Sequence, residues 1–223
     1  MYYSAWKMCE GSTVLCGLGF SGYDQNKNPI FEDISNVHIF KIEFATYHKQ
    51  VLDYWNIGTS SWLRQYIYLR IMPEGKKSSR MATIITFLVS ALWHGFYPGY
   101  YLAFLIAAFN SNCSRTIYRA FHPFYNNPKN FGRFNFIFKI LYSTIGIAVT
   151  SACLAFELAP FILLNFSETL QVWSIFYYYI IVGIVALSLY FDVFGGTKTF
   201  KKINMKINPV DTKDTEASKK KIE

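Results

Sequence analysis

Three apolar runs separated by polar, mostly basic connections dominate the chain. They cover about residues 81–109, 136–164 and 172–194, each near or above the roughly 20 residues a helix needs to cross a bilayer core. The pattern predicts an all-α fold, a polytopic membrane helix bundle. Residues 73–80, PEGKKSSR, and residues 110–133, with Arg115, Arg119, Lys129, Arg133 and no acid, flank the first run. Both read as cytosolic by the positive-inside rule. The first run then has to enter and return, bending where HGFYPGY supplies Gly95, Pro98 and Gly99. This predicts a re-entrant or broken helical hairpin with His94 at its buried tip and two arms too short to span fully. The other reading is one long tilted span, with one basic loop on the lumenal side.

Residues 165–171 contain no Lys or Arg and open on Asn165, Phe166 and Ser167, an N-glycosylation acceptor pattern, so this loop reads as lumenal. Glu157, near the end of the second run, is expected to reach the interface. The third run returns to the cytosol, and the chain from Gly195 onward is polar and lysine-rich, a disordered basic tail. It ends Lys220, Lys221, Ile222, Glu223, and lysines third and fourth from a cytosolic C-terminus resemble a dilysine retrieval signal of endoplasmic reticulum membrane proteins. The organisation is a membrane-embedded region, 1–194, and a cytosolic tail, 195–223.

Ahead of the first run the pattern is mixed. Residues 2–20 carry Lys7 and Glu10 mid-stretch and no basic region ahead of an apolar core, so they read as a packed or interfacial helix and not as a signal peptide. Such a helix is expected to have further helices upstream. Gly17, Gly19 and Gly22 match G-x-G-x-x-G, but no βαβ unit surrounds them, and a tight bend between closely approaching segments replaces a dinucleotide site. Residues 22–35 form a polar loop. Residues 36–50 fit a juxtamembrane helix with His38 and His48 at the surface. In residues 55–69, helical spacing puts Trp55, Trp62, Tyr66 and Leu69 on one face and Asn56, Ser60 and Arg64 on another, with a break near Gly58 the alternative.

Composition changes the picture in one respect. Of 223 residues, 52% are hydrophobic and 19% aromatic, above the usual soluble balance, so the net charge of +8 belongs to the flanks of membrane helices and does not require nucleic acid. Cys9, Cys16, Cys113 and Cys153 form no CxxC pair and suggest neither zinc nor a disulfide framework; Cys113 is either palmitoylated or a buried thiol. His94 is the candidate for chemistry, because an ionisable side chain among residues suited to hydrocarbon is expensive unless it faces partners or water. Thr83, Thr86, Ser90 and His94 step by three and four residues along one helix face, which either lines a polar cavity or spends its hydroxyls on its own backbone carbonyls.

WNIGTSSWLRQYIYLR followed by FLVSALWHGFYPGYYLAF, with EGSTVLCGLGFSG upstream, resembles the membrane-bound O-acyltransferase family, lysophospholipid acyltransferase branch, and is similar to its fungal broad-specificity enzymes. The FYxDWWN pattern of the sterol and diacylglycerol branch does not occur around Asn56. The resemblance implies the C-terminal part of that membrane fold, with several helices upstream of this chain. It implies transfer of a fatty acyl group from acyl-CoA, a co-substrate, to a lysophospholipid hydroxyl, with no metal or cofactor and with His94 and Asn56 as the catalytic pair. Imidazole suits the base, since the hydroxyl proton must leave as the ester forms. Asn56 would orient substrate or stabilise the oxyanion. Ser60, Thr86, Ser90 and Trp93 are candidate substrate contacts, and Arg64 and Arg70 candidate phosphate contacts. An inactive membrane scaffold and a transporter or channel subunit are the competing classes; the latter would need internal repeats, which the chain lacks.

Overall fold

Apolar residues at helical spacing recur along most of the chain, and the computed structural model, which describes residues 2–31, 34–75, 78–126 and 134–207, is mostly helical. Helix α1 (Tyr2–Leu15) is followed by a two-residue hairpin, β1 (Gly22–Tyr23) and β2 (Pro29–Ile30), paired antiparallel. Its turn is tied by Asp24, whose Oδ1 accepts the Asn26 and Asn28 backbone N–H groups at 2.8 Å. The hydrogen bonds from Asn28 hold the Asp24 carboxyl below its usual range. The short helices α2 (Ile39–Glu43) and α3 (His48–Tyr54) bury Val37, Ile42, Ala45 and Val51 against Tyr3 and Trp6 of α1. Trp55 leaves the helix: it bridges to Val37 in extended conformation and packs on Tyr2, Tyr3 and Trp6. It therefore does not share a helix face with Trp62, as the spacing predicted.

A continuous helical rod follows, made of α4 (Ile57–Leu63), a π-helical turn (Arg64–Tyr68) and α5 (Leu69–Ile71). Helix α6 (Arg80–His94) starts on Ser79, whose side chain accepts the Ala82 N–H, and ends at Gly95, whose φ of 124° closes it to further turns. Pro98 then opens α7 (Pro98–Asn126), which runs back along α6. Arg115 of α7 donates to Thr83 near the start of α6 at 2.6 Å, and Arg119 to Ser78 at 3.2 Å, so residues 78 and 119 lie at one end of an antiparallel hairpin. One long tilted span is thereby excluded. The second arm is longer than predicted, because α7 continues through Asn126 where a basic turn was expected from residue 110. Arg115 fits inside it by donating to neutral oxygens, those of Thr83, Asn112 and Ser111.

Helix α8 (Asn135–Leu163) is, among the described residues, the helix long and apolar enough to cross a membrane. Its inner stripe, Gly146, Thr150, Cys153, Glu157 and Phe161, repeats every three or four residues. Phe136, Ile140, Leu141, Ile145 and Val149 are exposed on the other side. The third apolar run is broken where a single span was expected. Helix α9 (Phe166–Ile175), capped by Asn165, and α10 (Tyr179–Ser188), extended by a π-helical turn (Leu189–Val193), are bent by 83° at Tyr177 and Tyr178, both with φ of 51°. Trp173 stacks on Phe156 at 4.6 Å and donates its indole N–H to the Phe156 carbonyl, which docks α9 on α8. Beyond Gly195, predicted as disordered, the chain forms α11 (Gly196–Ile207), whose Phe200 packs on Phe121 and Phe191. Lys220 and Lys221 lie outside the described residues.

Gly99 sets the distance between α7 and α8. A Cβ built there would lie 2.2 Å from the Pro160 carbonyl oxygen and 2.7 Å from Leu164 Cα, both backbone atoms. Gly99→Ala is therefore expected to destabilise the protein by about 1–3 kcal/mol by forcing the helices apart. Gly183→Ala, where a Cβ meets nothing within 4 Å, is expected to be tolerated. Thermal unfolding in detergent checks this, and equal Tm values for the two variants would contradict it.

Candidate active site

His94 is the last residue of α6, and the turn at Gly95 folds α7 back beneath its ring. The imidazole lies 5.6 Å from Tyr100 and 5.0 Å from Phe104 of α7, and 5.2 Å, edge-on, from Phe161 of α8. Tyr100, Phe104 and Phe161 also contact one another, so the seat is a packed aromatic cluster. The sequence placed His94 at a buried tip. It is exposed in this chain, beside Trp93 and Phe96, which are 64% and 83% exposed. The seat holds one side of the ring, and the rest of the side chain is exposed in this chain.

Asn56 caps α4 in the left-handed conformation, φ 48° and ψ 55°, which asparagine adopts more readily than most side chains. Its Oδ1 accepts from Asn36 Nδ2 at 3.3 Å, and Asn36 Oδ1 accepts the Gly58 N–H at 2.9 Å. With its oxygen occupied by Asn36, Asn56 presents Nδ2 as a donor with no protein partner among the described residues. Asn36 was missed by sequence reading, because nothing in the polar loop before it marks which amide would find Asn56, 20 residues away.

The rod formed by α4 and α5 runs antiparallel to α6. Trp62 meets Trp93 at 5.3 Å, while the Tyr68 hydroxyl accepts the Ser79 N–H at 3.1 Å at the other end. Asn56, at the start of the rod, thus lies at the His94 end of α6, although no direct hydrogen bond joins the two side chains. The remaining candidates divide. Trp93 is brought to this end by its contact with Trp62, and Ser90 is buried one turn before His94. Thr83 and Thr86 donate to the carbonyls of Ser79 and Ala82, so the stripe spends these hydroxyls on its own helix. Ser60 donates to the Trp55 carbonyl at 3.3 Å. Arg64 is exposed within the π-helical turn, and Arg70 is exposed with its guanidinium 5.7 Å from the Tyr66 ring.

Two histidine expectations are corrected. His38 is half-buried, edge-on to Tyr54, and His48 is buried, with Nε2 2.9 Å from Glu157 Oε2. Glu157, expected at the interface, is buried and also accepts from Asn110 Nδ2 at 2.5 Å. A polar cleft of about 330 Å³ lies elsewhere, lined by Tyr47, Gln50, Asp53, Tyr118 and His122 among others. Burial, followed by the neighbouring Tyr118, raises the Tyr47 phenol above its ordinary range. Tyr118 is 18 residues along α7 from Tyr100, about 27 Å at 1.5 Å per residue, so this cleft is remote from His94. No group of three or more His, Cys, Asp or Glu side chains among the described residues is arranged to hold a metal ion.

Comparison with known proteins adds to this geometry. The family model of MBOAT, the membrane-bound O-acyltransferase family, matches residues 1–156. A lysophospholipid acyltransferase of Schizosaccharomyces pombe is 35% identical over 221 residues, 98% of this chain and 43% of that protein. A lysophospholipid acyltransferase of Saccharomyces cerevisiae is 37% identical over 190 residues, covering 85% of this chain and 30% of its own length. The human membrane-bound glycerophospholipid O-acyltransferase 2 is 35% identical over 189 residues, 84% of this chain and 34% of the relative. The chain thus spans less than half the length of these curated relatives.

The difference in exposure between His94 and His48 has a chemical consequence. Diethyl pyrocarbonate is expected to modify His94 well before His48, as followed by mass spectrometry of peptides from the folded protein. Equal rates at the two rings would contradict the packing described here.

Proposed function

The chain belongs to the membrane-bound O-acyltransferase family, and on that footing we propose that it acts in lysophospholipid acylation, moving a fatty acyl group from acyl-CoA to the free hydroxyl of a lysophospholipid. The observation that carries this reading is the placement of His94 at a hairpin turn, one side of its ring seated on Tyr100, Phe104 and Phe161 and the rest of the side chain exposed, with Asn56 at the same end of α6. The relatives' names support the substrate class. The region is proposed to be multi-pass in the endoplasmic reticulum membrane, with a cytosolic C-terminus whose Lys220 and Lys221 engage retrieval machinery. The α6–α7 hairpin would be re-entrant there. At 15 residues, or about 22 Å, α6 is short for a full crossing.

In the reaction, the lysophospholipid hydroxyl oxygen bonds to the thioester carbonyl carbon while its proton passes to the imidazole of His94. The carbonyl oxygen gains negative charge, which the free Nδ2 donor of Asn56 would stabilise. The C–S bond then breaks, the electron pair leaves with the CoA sulfur, and the imidazolium returns the proton to that thiolate. Asn36 fixes the orientation of the Asn56 amide, so that its donor side is the one presented. Trp62, Trp93 and Phe96 offer apolar surface beside the ring that suits an acyl chain. Arg64 and Arg70, exposed on the same rod as Asn56, suit phosphate groups at its water-facing side.

Labelled acyl-CoA and lysophospholipid, supplied to membranes carrying the protein in its full-length form, test this. His94→Ala is expected to lower kcat by a factor of about 10²–10⁴, the usual worth of a general base. Unchanged turnover at normal abundance would remove the catalytic assignment. Asn56→Ala is expected to cost about 10²–10³ in kcat with little change in KM, as loss of one oxyanion donor does. An intact kcat would reduce Asn56 to a helix cap.

A further inference from the structure

A carboxylate inside a membrane helix is retained at considerable cost, so its partners indicate its purpose. Glu157, in α8, is 5% exposed. One of its oxygens meets His48 Nε2 at 2.9 Å, and the other accepts Asn110 Nδ2 at 2.5 Å. His48 is 3% exposed, and its Nδ1 is buried without a hydrogen-bond partner. Buried polar side chains from α3 and α7 therefore meet at Glu157 of α8, and Asn110, at 7%, is the most exposed of the three. Each element continues directly into the His94–Asn56 region. His48 begins α3, which delivers the chain through Trp55 to Asn56. Asn110 lies on α7, which carries Tyr100 and Phe104, and Glu157 lies one turn before Phe161 on the same face of α8. The cluster is thus the polar junction between the segment that places Asn56 and the two helices that seat His94.

We propose that His48, Glu157 and Asn110 are positioning residues for acyl transfer, a role that rests on the function proposed above: they hold Asn56 and the aromatic seat of His94 in one register. A hydrogen-bonded junction does this better than an apolar one. Glu157 bonds in two defined directions, and any slip of α3 along α8 breaks the His48 contact and leaves a buried polar group without its partner. A buried His, Glu and Asn contributed by three elements also specify one mutual arrangement, whereas leucine contacts tolerate several.

The test uses the full-length protein in membranes, with kcat expressed per folded molecule by fluorescence-detected size exclusion. Glu157→Ala is expected to lower kcat tenfold or more while KM for acyl-CoA and for lysophospholipid stays within threefold. Glu157→Gln, which keeps an acceptor for Asn110 and a donor for an imidazole nitrogen, is expected to restore most of that loss. Asn110→Ala, which leaves the His48 contact in place, is expected to cost three- to tenfold in kcat and serves if Glu157→Ala does not accumulate. Unchanged kcat per folded molecule in these variants, with the effect confined to abundance, would overturn the proposal, as would failure of both alanine variants to accumulate. His94→Ala separates the two levels: if it is inactive while Glu157→Ala and Asn110→Ala turn over normally, the junction role falls and the proposed function stands. If the unmodified protein transfers no acyl group from acyl-CoA to lysophospholipid, the proposed function itself falls; if His94→Ala remains active, the assignment of His94 falls.

Discussion

The arrangement depends on how closely α7 approaches the end of α8. Gly99 donates its N–H to the Leu164 carbonyl at 3.2 Å, and the space a Cβ would need is taken by the Pro160 carbonyl and the Leu164 backbone. This approach is open only to a residue without a side chain. It anchors the first turn of α7 on the last turn of α8, and Phe161 is thereby delivered to Tyr100 and to His94. Any widening here would separate the ring seat contributed by α8 from the helix end that carries the histidine.

From that anchor the remaining contacts follow in order. The turn at Gly95 reverses the chain so that α6 lies along α7, and Arg115 and Arg119 secure the far end of the pair on Thr83 and Ser78. The rod of α4 and α5 lies on α6 through Trp62 and Trp93, which brings Asn56 to the end where His94 sits. Asn36 then orients the Asn56 amide. A chemically plain pair, one imidazole and one amide, is placed by apolar packing over most of its surroundings, with polar contacts where direction matters.

The parts of this that were legible in the sequence are local. Asn56 and His94 each stand in a short motif, and the hairpin follows from the basic segments on both sides of the first run together with Gly95, Pro98 and Gly99, although its tip is exposed where burial was expected. The residues that escaped are those whose meaning comes from distant partners. His48 and Glu157 are 109 residues apart and Asn110 and Glu157 are 47 apart, and a histidine among lysines looks like a surface residue until its partner is known. Trp55 was misassigned because periodicity cannot register that Val37 pulls it into a β-bridge. The bend between α9 and α10 has no glycine or proline to announce it; Tyr177 and Tyr178 take up positive φ in a run of aromatics that reads as uninterrupted. The basic stretch after residue 110 looked like a loop because charge is a poor guide where a guanidinium can be spent on neutral oxygens inside a helix.

The central claim is that the exposed His94 ring and the free amide of Asn56 face one reacting centre. An experimental structure of the full-length protein bound to a non-hydrolysable thioether analogue of acyl-CoA measures this most directly. The account requires the sulfur of the analogue beside the His94 ring, with Asn56 Nδ2 within hydrogen-bond reach of the acyl oxygen position. An analogue seated instead in the cleft between Tyr47, Tyr118 and His122, with its sulfur far from His94, would contradict it.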